Sequence, residues 1–494
     1  MLRWYRPLVT AGLKREPESL AVREHDLLVV GGGIYGAAIA WDAAQRGLTV
    51  ALVEARDFGG QTSWSSARTI HGGFRYLQGL DLVRMRESIR ERSALLRIAP
   101  AIVRPLPFLV PAYGHGRRGI EILSTGLKVA DLVSFDRNRN LPVAQRIPGG
   151  QVLGPSAVLS VVPGVPEKGL TGGILWTDSQ LTHHERLIVA LLKAASGAGA
   201  QAANYLKVVG FLQSGSRITG ARAVDDESGR TLEIPARFVV NAAGPEMDAI
   251  LGLAGIERPP TPLLRAVNLV LKRPFVTGFA LGLSSGRRNL FLVPFRGRSL
   301  LGTGYAPAED DGGRLGREFF EEARRTFSFL GLGPDDVDFL QLGLVPGAGS
   351  TPANQTTVID HEATDGVKGL LSVQGVKYTT ARGVAEGVVD RVLRRLERRG
   401  PPSRTAVTPL EAAQPLCGTL EEQTRAVVEG EMALHLADVL LRRVDLGSFR
   451  RATAEEANAA LAVMARALSW SGERVAHERS RWLSSYPALE FSQG

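Results

Sequence analysis

The chain carries a single cysteine, Cys417, in 494 residues. One thiol builds no disulfide framework, thiolate metal site or CxxC pair within a monomer, so any redox chemistry must come from a bound cofactor. Long apolar runs are also missing, and no stretch reaches the roughly 20 residues that span a bilayer. The opening MLRWYRPLVTAGLKR is basic and aromatic but lacks the apolar core and cleavage site of a secretory signal. It reads either as a tail before the first strand or as a segment lying on an anionic membrane surface. No Lys/Arg-rich run carries interleaved aromatics, which argues against a nucleic-acid partner despite a formal charge of +9. Net charge does not choose between anionic lipid and acidic metabolites.

What is present is the balance of a globular protein, 44% hydrophobic and 22% charged, in a chain too long for one core. Two or three domains are expected. Residues 26–30, DLLVV, read as a buried strand ending in glycines. A helix with small or apolar Ile34, Ala37, Ala38, Ala40, Trp41 and Ala44 follows and stops at Gly47, and TVALVE (49–54) is a second buried strand. Between strand and helix, Gly31-Gly32-Gly33-Ile34-Tyr35-Gly36 fits GxGxxG. Gly31 permits the tight turn, Gly33 lets backbone approach a diphosphate, and Gly36 lets helix and strand pack closely. The helix start, from Ile34, offers free N–H groups and a positive dipole to phosphate. Glu54, ending the second strand, would accept from a ribose 2′-hydroxyl and repel a 2′-phosphate, which disfavours NADP. These residues alone leave NAD and FAD open.

A hydroxyl-rich loop comes next, with Thr62, Ser63, Ser65 and Ser66, then His71-Gly72-Gly73-Phe74-Arg75-Tyr76. Helical spacing resumes at 81–98. RPLPFLVPAYG (104–114) breaks helices and opens an excursion into a second domain. A helix at 184–197 precedes strand-like pieces at 204–212 and 217–224, and RFVVNAAG (237–244) returns to the first domain. Segments 266–272, 289–295 and 298–303 suggest a second sheet. GLLSVQG (369–375) is a third apolar strand closing on glycine, followed by helical periodicity from 379 to 396. PPSRT (401–405) is a linker, and 417–485 is helical nearly throughout.

The segments VGGGIYGAAIAWDAAQRG, SSARTIHGGFRYL, RERSALLRIAPAIVRPLPFLVP, HHERLIVALLKAA, NAAGPEMDAILGLAG, LLSVQGVKYTTAR and LADVLLRRVDLG resemble the FAD-dependent glycerol-3-phosphate dehydrogenases over nearly the whole chain after residue 25. The resemblance implies an α/β protein: a Rossmann-like FAD-binding domain (26–103, 184–250 and 350–400), an inserted mixed-sheet substrate domain (104–183 and 251–349), and a helical C-terminal domain (406–494) after a tail (1–25). By motif, Gly31, Gly33, Ile34, Gly36 and Glu54 would hold the ADP half of FAD, and Thr62, Ser63, Ser65 and Ser66 the diphosphate and flavin side. Val208, Ala243 and Gly244 would lie near adenine. Gly375, Val376, Lys377 and Tyr378 would face the flavin, where N–H groups and a cation stabilise charge arriving with hydride. Arg75 and Tyr76 match the substrate-side pair. His71 stays open as a core histidine, a base or a neighbour of the ring. The resemblance further implies a small anionic substrate, electrons passed to quinone or another acceptor, and a cytoplasmic or peripheral membrane enzyme. No metal is expected, and a homodimer is left open.

The departures gather on the substrate side. Val345 stands where the family carries a phosphate-binding Arg, Asn268 where it carries a His, and Val376 and Ala381 alter its GGKxTTYR motif. Losing a charged hydrogen bond should cost on the order of 2 kcal/mol. Either another cation compensates, with Arg265 and Arg382 as candidates, or the substrate differs. Three readings therefore stand: hydride transfer to flavin N5 from glycerol 3-phosphate or a related polyol phosphate; an amine or amino-acid oxidase on the same scaffold; and an FAD-binding protein altered in catalysis.

Overall fold

Leu27–Val30 is apolar and buried at every position, as a strand covered on both faces must be. It forms the centre of a six-stranded sheet in a computed structural model that describes residues 12–116, 119–444 and 446–486, with only the backbone of Gln78. The first eleven residues, most of the basic N-terminal segment, lie outside the described residues. Strand order is Thr357–Asp360, Leu370–Gln374, Val239–Asn241, Leu27–Val30, Val50–Val53, Gln201–Ala203. All neighbours are parallel except the Thr357–Asp360 edge.

Alternation sorts this sheet's two faces. Leu27, Val29, Val50 and Leu52 pack against helices Ile34–Gln45, His184–Gly197 and Ala381–Arg395, where Ala37, Ala38, Ala40 and Ala44 keep the approach close. Leu28, Val30, Ala51 and Val53 face the other way, onto a three-stranded antiparallel sheet of Leu206–Ser214, Arg217–Asp225 and Thr231–Pro235. The α/β class with a Rossmann-like parallel sheet is thus the observed one.

The second sheet has ten strands and is mixed, since Ala280–Ser284 runs parallel to Val103–Tyr113 while its other pairings are antiparallel. The Pro-rich 104–114 segment breaks helices as expected, but it forms that eleven-residue strand. Pro105, Pro107 and Pro111 share one parity, so their missing N–H groups fall on one edge and leave the ladder to Leu170–Leu181 intact. The loop read from 61 to 73 likewise contains a short strand, Thr69–Ile70, on this sheet's margin.

The C-terminal part is helical: Leu420–Gly430, Leu436–Arg442, Ala454–Ala467 and Gly472–Leu483. Capping boxes at Thr419/Glu422 and Thr453/Glu456 start two of these helices. Their apolar faces share a core with Val270, Phe295 and Phe339 of the second sheet.

Candidate active site

A cleft of about 2280 Å³ runs between the glycine turn and the second sheet. Ligand pockets usually measure roughly 300–1,000 Å³, so this one has room for an extended cofactor and a substrate together. Gly31, Gly33, Ile34 and Glu54 line one part, with Val208, Ala243 and Gly244 beside them. Thr62, Ser63, Ser65 and Ser66 continue along it to Gly375, Val376, Lys377 and Tyr378, and to His71, Arg75 and Tyr76.

The turn needs glycine at two positions where backbone approaches backbone. Gly31 has φ +107°, and a Cβ there would meet the Ala242 carbonyl oxygen at 2.5 Å. A Cβ on Gly36 would sit 1.8 Å from the Gly31 oxygen. Gly36 is outside the cleft lining, so it contributes by packing helix on turn rather than by contact. Gly33, the N-cap, brings no side-chain cap to the helix. The Ile34 N–H donates instead to Ser63 Oγ at 3.1 Å. Glu54 accepts from Gly32 N–H at 2.6 Å and Arg56 N–H at 2.8 Å. Burial raises its carboxyl, against which those two donors work. Two of its roughly four lone-pair sites remain for a ribose.

The hydroxyl loop is fastened to the second sheet. Thr62 Oγ1 donates to the Leu344 carbonyl at 2.7 Å. Asn268 Nδ2 donates to the Ser65 carbonyl at 2.8 Å, and Thr303 Oγ1 donates to Asn268 Oδ1 at 2.8 Å. Asn268 therefore works as a bracket between loop and sheet. Gly343 leaves room for Ser65, whose Oγ a Cβ would approach to 2.2 Å. Ser66 Oγ accepts from Arg68 N–H at 3.4 Å.

At the far end, a residue passed over in sequence organises the late glycine segment. Tyr35 accepts the N–H groups of Val376 and Lys377 at 3.2 and 3.1 Å and donates to the Lys377 carbonyl at 2.7 Å. Its ring fills the space over Gly375, where a Cβ would come within 2.2 Å. Tyr35 occupies a free position of GxGxxG, which carries no signal of a partner so far along the chain. Tyr378 donates to the His184 carbonyl at 3.1 Å.

Arg75, Tyr76 and Lys377 come together as a group. Lys377 Nζ lies 4.4 Å from the Tyr76 ring centroid and Arg75 Cζ lies 5.4 Å from it. Burial, and then the Arg75 charge, lower Lys377 to about 8. The Tyr76 hydroxyl is buried without a hydrogen-bond partner among the described residues. His71 is no core histidine, since its side chain is 59% exposed, and its Nδ1 lies 3.5 Å from Asp178 Oδ2. Asp178 is buried; burial opposes its charge, yet His71 and Arg92 hold its carboxyl down to about 2. Tyr305, another residue the sequence did not single out, lines the same region, its phenol raised by burial against the pull of Arg75.

The two cations expected to replace the missing Arg do not. Arg382 is buried in a fork with Glu91 at 2.5 and 2.7 Å. Arg265 is turned onto the Ala308 and Asp310 carbonyls at 2.5 and 2.8 Å. Neither lines the cleft, whereas Arg287 and Arg288 do. Asn268 and Val345 line it too; Ala381 is buried in a helix start away from it.

The glycine turn, the helix start behind it, the acceptor at Glu54 and the Tyr35-braced turn fit FAD. Residues 26–391 match the family described as FAD dependent oxidoreductase, and 388–475 match the C-terminal domain of alpha-glycerophosphate oxidase. The chain is 33% identical over 418 residues to a glycerol-3-phosphate dehydrogenase of Synechocystis, covering 79% of this chain and 74% of that protein. It is 31% identical over 460 residues to the human mitochondrial glycerol-3-phosphate dehydrogenase, covering 86% of this chain and 61% of that one. Its fold matches the FAD complex of glycerol-3-phosphate dehydrogenase from Bacillus halodurans with a TM-score of 0.73 at 22% identity, over 96% and 98% of the two chains. L-proline dehydrogenase from P. horikoshii shares the fold at a TM-score of 0.57 and 19% identity, over 76% and 95%. The chain is an FAD-dependent oxidoreductase and belongs to the glycerol-3-phosphate dehydrogenase family.

Proposed function

We propose that the enzyme oxidises glycerol 3-phosphate, or a closely related polyol phosphate, at a hydroxyl-bearing carbon. The observation that carries this reading is the pair of cations, Arg75 and Lys377, set around the Tyr76 ring in the cofactor's own cleft. Arg75 grips an oxyanion in its fork and Lys377 adds a second charge. Arg287 and Arg288 line the same cleft, in which Val345 offers no cation; Arg288 is also paired with Glu322 at 3.3 Å. Bound FAD supplies the hydride acceptor. The hydroxyl proton goes to His71, which lines the cleft with its Nδ1 3.5 Å from Asp178 Oδ2.

The absent Arg at Val345 favours one second reading, a carboxylate-bearing amine or amino acid held by Arg75 alone. Anaerobic reduction decides between them. Glycerol 3-phosphate should bleach the flavin absorbance of the purified holoenzyme. Bleaching by amino acids but not by polyol phosphates would overturn the first reading, and silence across both panels would leave a protein altered in catalysis.

The acceptor in this reading is a quinone reached from a membrane surface on the cytoplasmic side. Supporting it, Leu80, Val83, Ile122, Leu132 and Phe135 are apolar and more than half exposed, and Leu80 and Ile122 reach the cleft. No helix among the described residues is long and apolar enough to cross a membrane. Co-flotation with anionic vesicles, lost on Val83→Asp and Phe135→Asp, tests this.

A further inference from the structure

The hydroxyl loop is held at both ends by the helical C-terminal part. Asp57, three residues after Glu54, is 1% exposed. Arg443 grips it in a fork, Nη2 to Oδ1 at 2.7 Å and Nη1 to Oδ2 at 3.0 Å, while Arg442 Nε reaches Oδ2 at 2.6 Å. Asn204 Nδ2 adds a donor at 3.1 Å. At the other end, buried Arg68 donates Nη2 to the Ser448 carbonyl at 3.0 Å, which also accepts from Gln341 Nε2 at 3.0 Å. The two arginines are themselves fixed: Arg443 Nε donates to the Glu431 carbonyl at 3.1 Å, and Arg442 Nη2 to Asp438 at 2.7 Å.

Between these anchors lies cleft wall. Gly59 N–H donates to the Gly32 carbonyl at 3.1 Å, and the Phe58 ring sits so close to Gly32 that a Cβ there would come within 2.5 Å. Ser63, further along, covers the helix start. A shift at Asp57 is therefore passed to the turn that receives the diphosphate. Removing one guanidinium leaves a buried carboxylate under-compensated, and the loop must move to rehydrate it. Neither arginine lines the cleft.

We propose that Arg442, Arg443 and the Ser448 carbonyl are positioning residues for FAD: the helical C-terminal part sets the 57–68 loop and so retains the cofactor without touching it. A preorganised loop binds tighter because its ordering cost is met before the ligand arrives. The inference depends on the cofactor assignment and not on the substrate proposed above.

The experiment uses full-length Arg442→Met, Asp57→Asn and Arg442→Lys, with Glu456→Gln as control because it breaks an Arg450–Glu456 pair internal to the helical part. FAD dissociation constants come from fluorescence titration of deflavinated protein, and loop mobility from amide exchange of residues 58–66. Arg442→Met and Asp57→Asn should each weaken FAD at least tenfold and speed loop exchange, with the second sheet still protected. Arg442→Lys should recover part of the affinity, to about threefold below the parent, and Glu456→Gln should stay within twofold of the parent. Folded Arg442→Met and Asp57→Asn binding FAD within twofold of the parent overturn the proposal. So does Glu456→Gln losing as much as Arg442→Met. Should Arg442→Met not fold, Arg442→Lys decides: it keeps the charge but lacks the second nitrogen that bridges Asp57 to Asp438, so a threefold loss supports the inference and none refutes it.

Discussion

Tyr35 sits at a position the dinucleotide motif leaves free, yet its hydroxyl satisfies two N–H groups and a carbonyl of the late glycine segment. Phe at this position would keep the ring over Gly375 and delete those bonds together with the hydroxyl's contact to Thr356 Oγ1 at 3.1 Å. Leaving such partners unsatisfied costs roughly 1–3 kcal/mol. Tyr35→Phe should therefore raise the FAD dissociation constant by about tenfold, since 1.4 kcal/mol corresponds to that factor; an unchanged constant removes Tyr35 from the site. Lys377 gives a second test at this scale. Its value of about 8 lies below the ordinary lysine value because burial, then Arg75, disfavour the charge. Below about 8 the side chain is charged and attracts an anion; above it the attraction fades. Stability runs the other way, because the buried charge is unfavourable below about 8 and the penalty fades as pH rises toward the unfolded value of about 10.4. Apparent KM for an anionic substrate should thus rise through pH 8 in the parent and lose that limb in Lys377→Met. In Arg75→Ala the limb should move to higher pH, and KM should rise about 10- to 100-fold from the lost charged bond. A limb unmoved by Arg75→Ala would separate the two cations.

At the scale of elements, the strand-turn-helix was legible because its chemistry demands contiguous residues: glycines at fixed spacing, apolar strands of four, small residues along one helix. The structure adds the reason Gly36 cannot vary, a Cβ 1.8 Å from the Gly31 oxygen. Overpacking usually costs about 1–3 kcal/mol, and here the obstacle is backbone, which cannot yield as a side chain would. Gly36→Ala should give protein with a lowered Tm and little flavin absorbance per protein; a normally yellow variant with parental Tm would show that the helix can slide. The proline-bearing strand Val103–Tyr113 was readable only as a break in helix, because the common parity of its prolines matters only once a neighbouring strand is known. Contacts between distant segments stayed hidden for the same reason. Tyr35 and Lys377 are 342 positions apart and Asp57 and Arg443 are 386 apart. No local pattern marks either pair, and the expected cations Arg265 and Arg382 prove to be engaged with carbonyls and a buried glutamate that no spacing indicated.

For the whole molecule, the question is how the helical C-terminal part stays joined to the rest. Besides its apolar core with the second sheet, it meets the three-stranded sheet at His435, which is 2% exposed. Glu478 of the last helix lies 2.7 Å from Nδ1, Glu227 of the small sheet's turn 3.2 Å from Nε2, and the Tyr205 ring meets it edge-on at 4.5 Å. Asp438 of its own helix adds negative charge, and Arg474 and Arg481 of the last helix approach within 3.1 and 3.2 Å. Burial alone would lower this histidine, but Glu227, Glu478 and Asp438 outweigh it and raise it to about 9. A folded value above the unfolded one of about 6.5 means the contribution to stability is full below that pH and is lost as pH rises through about 9. The joint should loosen on that alkaline limb. Thermal midpoints of the holoenzyme should therefore fall more steeply between about pH 7 and pH 10 in the parent than in His435→Gln, which cannot titrate. The variant should start lower at pH 6 and converge on the parent at pH 10. Parallel curves would mean that His435 is neutral in the fold, and that the joint rests on its other contacts, among them the Asp57 arginines, the Arg186–Glu431 pair and the apolar core.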